Sequence, residues 1–172
     1  MEKGQRLSTG NKDMDNFLDG GYESDVITTI YGPGGSGKTN LCLLAVIEAV
    51  KAGKKVIYID TESSFSVSRM KQLSNDYEKI MENISFLRPI NFDEQKEVFE
   101  KLRDMSTQEV GLIVVDSIAM LYRLEFGKSQ EIYEVNRDLG RQIAYLTEIA
   151  RKKEIPVLLT NQVYASFEDK DG

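Results

Sequence analysis

The sequence contains no histidine and one cysteine, Cys42, and both shortages exclude whole classes of chemistry. Without histidine there is no Ser-His-Asp or Cys-His nucleophilic centre and no zinc site built on imidazole. One cysteine allows neither an internal disulfide nor a cysteine metal cluster. Any catalysis must therefore come from carboxylates, lysine, backbone amides or a metal held by carboxylates, such as Mg²⁺.

Long hydrophobic runs are also missing. No apolar stretch approaches the ~20 residues that a membrane-spanning helix needs, and the first residues, MEKGQRLSTG, lack the hydrophobic region of a signal peptide. We therefore expect a cytoplasmic protein without a membrane partner. The 172 residues suit one domain with a sizeable core. The formal net charge of −6 argues against a protein that coats nucleic acid by bulk electrostatics, but it does not exclude a local basic surface.

The apolar pattern predicts an α/β fold. Five β-rich runs stand out, at residues 26–31, 55–60, 84–88, 112–116 and 156–161. Helical patterns lie before and between them, at residues 12–18, 38–53, 92–105 and 129–153. This alternation predicts a mainly parallel sheet, with strands buried on both sides and helices on both faces. Ligands of such sheets bind beyond the carboxyl ends of the strands, so the residues after each run are the functional candidates.

Two of the helical patterns are marked by regularly spaced apolar residues. In the pattern at 92–105, the residues on or near one face are Phe92, Phe99 and Leu102. In the pattern at 129–153, the residues at i, i+4, i+7 and i+11 spacing are Leu139, Ile143, Leu146 and Ala150.

The stretch IYGPGGSGKTN, residues 30–40, contains the P-loop pattern G-x-x-x-x-G-K-[ST]. Glycines let backbone N–H groups converge on one point, and the dipole of the following helix points at the same place. Lys38 should reach the β- and γ-phosphates of a nucleotide, and Thr39 should place its hydroxyl on Mg²⁺. An ordinary glycine-rich turn is the alternative, but strand, loop and helix all fall where the motif requires them. The predicted nucleotide-binding residues are Gly32, Pro33, Gly34, Gly35, Ser36, Gly37, Lys38, Thr39 and Asn40.

Carboxylates follow two of the other apolar runs. Asp116 ends LIVVD, where a buried charge is costly unless something compensates it, and Mg²⁺ beside the P-loop would do so. The alternative is that Asp116 caps the next helix. Asp60 and Glu62, two residues apart on an extended chain, should point to the same face, where one could polarise a water for attack on the γ-phosphate. Here the alternative is a polar strand end that caps the next helix.

Amide side chains end the fifth run. Asn161 and Gln162 stand at the carboxyl end of PVLLTN and directly after it. One of the two amides could touch the γ-phosphate or the attacking water, and the pattern alone leaves this open.

Taken in order, these motifs resemble those of the RecA-like recombinases, and among them the archaeal RadA and RadB proteins. The matching pieces cover nearly the whole chain: LSTGNKDMDNFLDGG, YGPGGSGKTN, YIDTESSFSVSRM, LIVVDSIAMLYR and ARKKEIPVLLTNQV. The resemblance implies a RecA-like P-loop ATPase core that uses ATP and Mg²⁺, with a sheet of strand order 3-2-4-5-1-6-7-8. The chain starts a few residues before this core, without the helix-hairpin-helix domain of RadA, and this favours the RadB branch.

The resemblance also implies roles for single residues. Asp116 becomes the Walker-B carboxylate, which holds the magnesium ion together with Thr39. Glu62 becomes the glutamate that activates water, and Gln162 becomes the γ-phosphate sensor at the entrance to the second DNA loop. Arg69 matches the arginine that stacks on adenine, although it could otherwise be a plain surface cation.

Two departures from the family pattern concern DNA binding. Residues 124–135 occupy the first DNA loop, where Lys128 is the one cation among three glutamates, so phosphates would be poorly neutralised. Lys128 could equally be an ordinary solvated lysine. The five runs supply only strands 3-2-4-5-1 of the family sheet. We therefore expect residues 1–172 to form a single core that lacks the last three strands, with a lead-in segment at 1–21.

The leading hypothesis is an accessory protein of homologous recombination and DNA repair, a weak ATPase whose ATP site acts mainly as a binding switch. It would bind DNA, mainly single-stranded, and a protein partner, for which the resemblance suggests a RadA recombinase or a Holliday-junction nuclease; self-association is left open. One alternative is a DNA-dependent ATPase of RadA type that exchanges strands. Another is a KaiC-like signalling ATPase, because those proteins share the STG and GG landmarks before the P-loop.

Overall fold

The structure, a computed structural model, describes residues 5–126 and 132–164. In chain order the elements in these ranges are β1 (Arg6–Leu7), α1 (Lys12–Phe17), β2 (Tyr22–Glu23), β3 (Ile27–Gly32), α2 (Lys38–Lys51), β4 (Lys55–Asp60), α3 (Val67–Leu73), α4 (Tyr77–Glu82), β5 (Ile84–Leu87), α5 (Phe92–Met105), β6 (Val110–Asp116), α6 (Met120–Phe126), α7 (Ile132–Lys153) and β7 (Val157–Gln162). None of the helices in these ranges combines the length and apolar character that a membrane crossing requires.

Five of the strands form one parallel sheet in the order β5-β4-β6-β7-β3. Numbered as the five runs of the sequence, this order is 3-2-4-5-1, so the expected RecA-like topology is confirmed. The short strands β1 and β2 form a separate antiparallel pair just before β3. Since all five strands run in the same direction, the carboxyl ends of β3, β4, β6 and β7 lie side by side at one end of the sheet.

Alternate residues of the central strands pack into two separate cores, one on each face of the sheet. The strand residues of the core that contains α2 are Val56, Tyr58, Leu112, Val114 and Leu158. Those of the core that contains α5 and α7 are Ile57, Ile59, Val110, Ile113, Val115, Val157 and Leu159. Helices therefore cover both faces, as the nearly continuous apolar runs predict.

The two long predicted helix faces have different outcomes. In α5 the three predicted residues, Phe92, Phe99 and Leu102, are all buried. In α7 Leu146 and Ala150 are buried and Leu139 is half-buried, whereas the side chain of Ile143 is 38% exposed. Gln142 is buried instead. A polar residue can occupy this position because Gln95 Nε2 of α5 donates a 2.6 Å hydrogen bond to Gln142 Oε1.

Strand β3, which leads into the P-loop, is less buried than the central strands β4, β6 and β7 and lies where the expected order 3-2-4-5-1 places it. In the described part of the chain it pairs with β7 alone and so lies at an edge of the sheet. Its residue Tyr31 is 73% exposed. The carboxyl end of β3 still lies beside the end of β7, because Gly32 is in register with Gln162.

Candidate nucleotide-binding site

A pocket of about 370 Å³ lies at the carboxyl ends of β3, β4, β6 and β7. The predicted site residues that line it are Gly34, Gly35, Ser36, Gly37, Lys38, Thr39, Asn40, Glu62, Arg69, Asp116 and Gln162. Gly32 and Pro33 are not among the lining residues. Their carbonyl oxygens accept hydrogen bonds of 3.1 and 2.8 Å from the Lys38 ammonium, which holds this side chain over the start of the loop.

The P-loop has a backbone that requires glycine and leaves open space above it. Gly35 and Gly37 have φ angles of 74° and 90°, a left-handed conformation that disfavours other residues. A Cβ atom at either position would meet nothing within 4 Å. Gly37 is also the N-cap of the 14-residue helix α2 and provides no side-chain cap. The first N–H groups of α2 are therefore free of a side-chain cap, and such groups bind anions.

The Asp116 carboxylate is buried at the end of β6 and accepts hydrogen bonds from four hydroxyl groups. Its Oδ2 accepts from Thr39 at 2.7 Å, from Ser64 at 2.9 Å and from Tyr58 at 3.0 Å. Its Oδ1 accepts from Thr160. These donors come from α2, the loop after β4, β4 itself and β7, so helix capping does not describe Asp116. They offset the cost of burying its charge.

Two neighbours of this carboxylate are held in their neutral forms. Burial, with a further contribution from Cys42 and Asp116, raises the pKa of the Tyr58 hydroxyl far above its ordinary value. Burial, followed by the charge of Asp116, also raises the pKa of the Cys42 thiol. Tyr58 therefore stays a hydrogen-bond donor to Asp116, and Cys42 is an inert core residue without thiolate character.

The oxygen atoms beside the P-loop fit a magnesium ion. The described residues contain no group of three or more His, Cys, Asp or Glu side chains that could hold a metal by themselves. The Thr39 hydroxyl and the Asp116 carboxylate, 2.7 Å apart, are both oxygen ligands of the type that Mg²⁺ accepts. Mg²⁺ usually completes its coordination with waters and substrate phosphates, so these two side chains suit an ion that arrives with a nucleotide.

The structure separates Asp60, the last residue of β4, from Glu62, and the expectation that the two carboxylates share a face is wrong. The chain bends after β4, and Ser63 has a φ angle of 53°. Asp60 is buried, and its oxygens accept hydrogen bonds from the backbone N–H groups of Ser64 and Phe65 at 2.9 and 3.3 Å. Glu62 is exposed and lines the pocket. Asp60 therefore supports the loop, and Glu62 alone of the two faces the nucleotide pocket.

Gln162 lies against the P-loop. Its Nε2 atom is 3.1 Å from the point that a Cβ atom on Gly34 would occupy. The next residue extends this contact, because the N–H of Val163 donates to the carbonyl of Gly32 at 3.1 Å. The neighbouring Asn161 side chain accepts a 2.9 Å hydrogen bond from Arg123 of α6 and is not among the pocket-lining residues.

Comparisons with known proteins show to which family the chain belongs. The Rad51 family model matches residues 2–171. The chain belongs to the Rad51 family. It is 42% identical over 164 residues to "DNA repair and recombination protein RadB" of Methanococcoides burtonii, a match that covers 95% of this chain and 72% of the relative. It is 45% identical over 152 residues to the RadB protein of Methanococcus maripaludis, covering 87% of this chain and 70% of the relative.

A solved structure supports the same assignment within the Rad51 family. The chain matches the crystal structure of the RadB recombinase with a TM-score of 0.79 and 39% sequence identity. The match covers 95% of this chain and 73% of the other. The chain is thus a RadB-type member of the Rad51 family with a RecA-like fold.

In this Rad51-family site, Arg69 is fixed at the rim of the pocket. Its Nε donates to Asn40 Oδ1 at 3.0 Å, and its Nη1 donates to Gln72 Oε1 at 2.8 Å. Arg69 is therefore more ordered than a plain surface cation would be. Its stacking on adenine stays a prediction. Residues 127–131 of the predicted first DNA loop, Lys128 among them, lie outside the described residues.

Several residues that shape this site were not predicted. Tyr58 and Thr160 donate to Asp116, and the Ser117 hydroxyl donates to Glu62 Oε1. Thr61 completes the link between β4 and β6, because its hydroxyl donates to the Ser117 carbonyl at 2.7 Å. The signal for Tyr58 and Thr160 was a hydroxyl group inside an otherwise apolar strand, whereas Ser117 and Thr61 required the pairing of β4 with β6.

The four-hydroxyl arrangement around Asp116 predicts an effect on stability. Thr160→Val keeps the shape of the side chain but removes one donor from the buried carboxylate. We expect it to lower the free energy of unfolding by about 1.5–3 kcal/mol, the typical contribution of a hydrogen bond to a charged group. Urea unfolding followed by circular dichroism measures the change.

The matched control is Thr147→Val on α7. The Thr147 hydroxyl donates to the backbone carbonyl of Ile143 at a half-exposed position, so its loss should cost less than about 0.5 kcal/mol. Equal losses in the two variants would contradict a specific role of Thr160 in holding Asp116.

Proposed function

We propose that this chain is an ATP-binding accessory protein of homologous recombination and DNA repair, with weak Mg²⁺-dependent ATPase activity. One observation carries the proposal: the P-loop, the hydrogen-bonded pair Thr39 and Asp116, Glu62 and Gln162 all line one pocket. The recombination context is supported by relatives that are named DNA repair and recombination protein RadB. The match to the Rad51 family model counts against the alternative of a KaiC-like signalling ATPase.

The proposed chemistry uses side chains that are already in position. The N–H groups of the P-loop and of the start of α2 would bind the phosphates, and Lys38 would exchange its loop carbonyls for phosphate oxygens. Bound Mg²⁺ would neutralise charge that develops on the phosphate oxygens. Glu62 would orient a water and accept its proton, with Ser117 fixing the carboxylate.

The nucleotide site would act mainly as a switch for DNA binding. Gln162 is the last residue of β7, and the chain continues from it directly toward the predicted second DNA loop. A γ-phosphate that attracts the Gln162 amide would therefore change the position of the residues that follow. The negative net charge favours a protein whose DNA binding depends on such local ordering over one that coats DNA.

The switch predicts that ATP changes the affinity for single-stranded DNA. The affinity for a fluorescent single-stranded oligonucleotide can be measured by anisotropy, once with ATP and Mg²⁺ and once without nucleotide. The two affinities should differ by a factor on the order of 5–150, as is typical of coupled sites. Lys38→Ala should abolish this difference, because the variant loses its main phosphate contact.

The control is Lys101→Ala, which removes an exposed lysine of α5 on another part of the surface. It should behave as the parent does. An unchanged DNA affinity in the parent with and without ATP would exclude the switch, and a Lys38→Ala variant that still responds to ATP would exclude the P-loop as its origin.

The proposed role of Glu62 in ATP hydrolysis can be tested separately from ATP binding. Glu62→Gln keeps the shape of the side chain but removes the base, so we expect turnover to fall by ~10²-fold or more. The ATP affinity measured by calorimetry should stay close to that of the parent, since Glu62 would contact the water and not the phosphates. Phosphate release measures the turnover.

Glu97→Gln on the exposed face of α5 is the matched control and should turn over ATP at the parental rate. A Glu62→Gln variant as active as the parent would assign Glu62 a purely structural role beside Ser117.

A further inference from the structure

Arg123 is a half-buried cation of α6, and the contacts that its side chain makes within the described residues lie at the end of β7. Its guanidinium donates to Asn161 Oδ1 at 2.9 Å and to the backbone carbonyl of Gln162. The same group lies 5.0 Å from the centre of the Tyr164 ring. One side chain thus contacts three of four consecutive residues, exactly where the chain leaves the sheet beside the P-loop.

The end of β7 is held from two sides. On the side of β3, the N–H of Val163 donates to the carbonyl of Gly32. On the other side, α6 supplies Arg123. Between these two attachments, the Gln162 amide lies against Gly34 of the P-loop. The position of this amide therefore depends on both attachments. The attachment to β3 is a hydrogen bond between backbone groups, one of them in the P-loop, whereas the attachment to α6 uses the Arg123 side chain, which can be substituted without altering the P-loop.

We propose that Arg123 is a positioning residue that holds Gln162 against the P-loop and couples the nucleotide to the chain segments that leave α6 and β7. This inference rests on the proposed function and specifies how the site would be regulated. A movement of Gln162 toward a γ-phosphate displaces the carbonyl and the ring that Arg123 contacts. The displacement reaches α6, which ends at Phe126, three residues beyond Arg123.

The chemistry of the guanidinium explains why arginine suits this position. Its planar fork of five donors can bind two oxygens and lie over an aromatic ring at the same time. A lysine ammonium keeps the charge but cannot reproduce this fixed geometry. A purely electrostatic role would therefore survive Arg123→Lys, whereas a positioning role would not.

The first test separates binding from turnover. Arg123→Gln and Arg123→Lys should both lower kcat for ATP hydrolysis by about tenfold or more, as expected when a reacting group is misplaced. ATP affinity by calorimetry should stay at the parental value, since Arg123 is not among the residues that line the pocket. Arg151→Gln is the control, because Arg151 is exposed in the last turn of α7, which leads into the start of β7 and not to the carboxyl ends of the strands.

A double-mutant cycle tests whether Arg123 acts through Gln162. In a Gln162→Ala background, Arg123→Gln should cause no further loss of kcat, because coupled residues are not additive. Asn161→Ala removes one acceptor and leaves α6 intact, so it should give a smaller loss in the same direction and remains informative if Arg123→Gln folds poorly. Independent, additive losses from Arg123→Gln and Gln162→Ala would overturn the proposal.

A fluorescence measurement gives a readout that does not require hydrolysis. The sequence contains no tryptophan, so Tyr164→Trp introduces a unique probe at a site that is 67% exposed. We expect ATP with Mg²⁺ to change the emission of this variant, and ADP to change it less. Adding Arg123→Gln should abolish the difference between the two nucleotides while calorimetry still detects ATP binding.

The outcomes separate this inference from the proposed function. An emission difference that persists with Arg123→Gln would overturn the role of Arg123 and leave the ATP site unaffected. A parental chain that binds no ATP in calorimetry would overturn the proposed function itself, and the inference with it.

Discussion

The buried charge of Asp116 is the constraint on which this structure depends. A carboxylate at the end of a central strand is costly unless donors surround it, and here four hydroxyl groups do so. They belong to separate elements: Thr39 begins α2, Tyr58 lies in β4, Ser64 follows β4 and Thr160 lies in β7. The order β4-β6-β7, with the P-loop beyond, brings these elements to one carboxylate. The sheet topology and the nucleotide site are therefore consequences of the same arrangement.

The same arrangement connects the pocket to the parts of the chain proposed to respond to nucleotide. Thr160 donates to Asp116, and two residues later Gln162 reaches the P-loop. Arg123 joins this strand end to α6, and Ser117, which follows Asp116, holds Glu62. A ligand that changes the hydrogen bonds of Asp116 thus acts close to both the candidate base and the candidate sensor. This proximity is what a Rad51-family protein that uses ATP as a switch would require.

The sequence predicted the five strands of the parallel sheet, the helices α1, α2, α5 and α7 and the P-loop because their signals are local, whereas the short elements β1, β2, α3, α4 and α6 were not predicted. Apolar runs, glycines and strand-end carboxylates can be read within a few residues, and the family resemblance added the strand order. The failures concern long-range contacts. Gln142 is buried where the apolar spacing points to Ile143, because the amide of Gln95, 47 positions away, donates to its side-chain oxygen. Asp60 and Glu62 diverge because the chain bends directly after β4. The contact of Arg123 with β7 depends on the packing of α6, which no periodicity reveals.

The most direct test of this account measures ATP affinity by calorimetry with Mg²⁺ and with EDTA, in the parent and in Asp116→Asn. Asparagine keeps the size of the side chain, and the surrounding hydroxyl groups can reorient to accept from its amide, so the fold should persist. We predict that Mg²⁺ strengthens ATP binding to the parent and that Asp116→Asn removes this dependence while it still binds ATP. A variant whose ATP affinity responds to Mg²⁺ as strongly as that of the parent would contradict the assignment of Asp116 as the centre of the site.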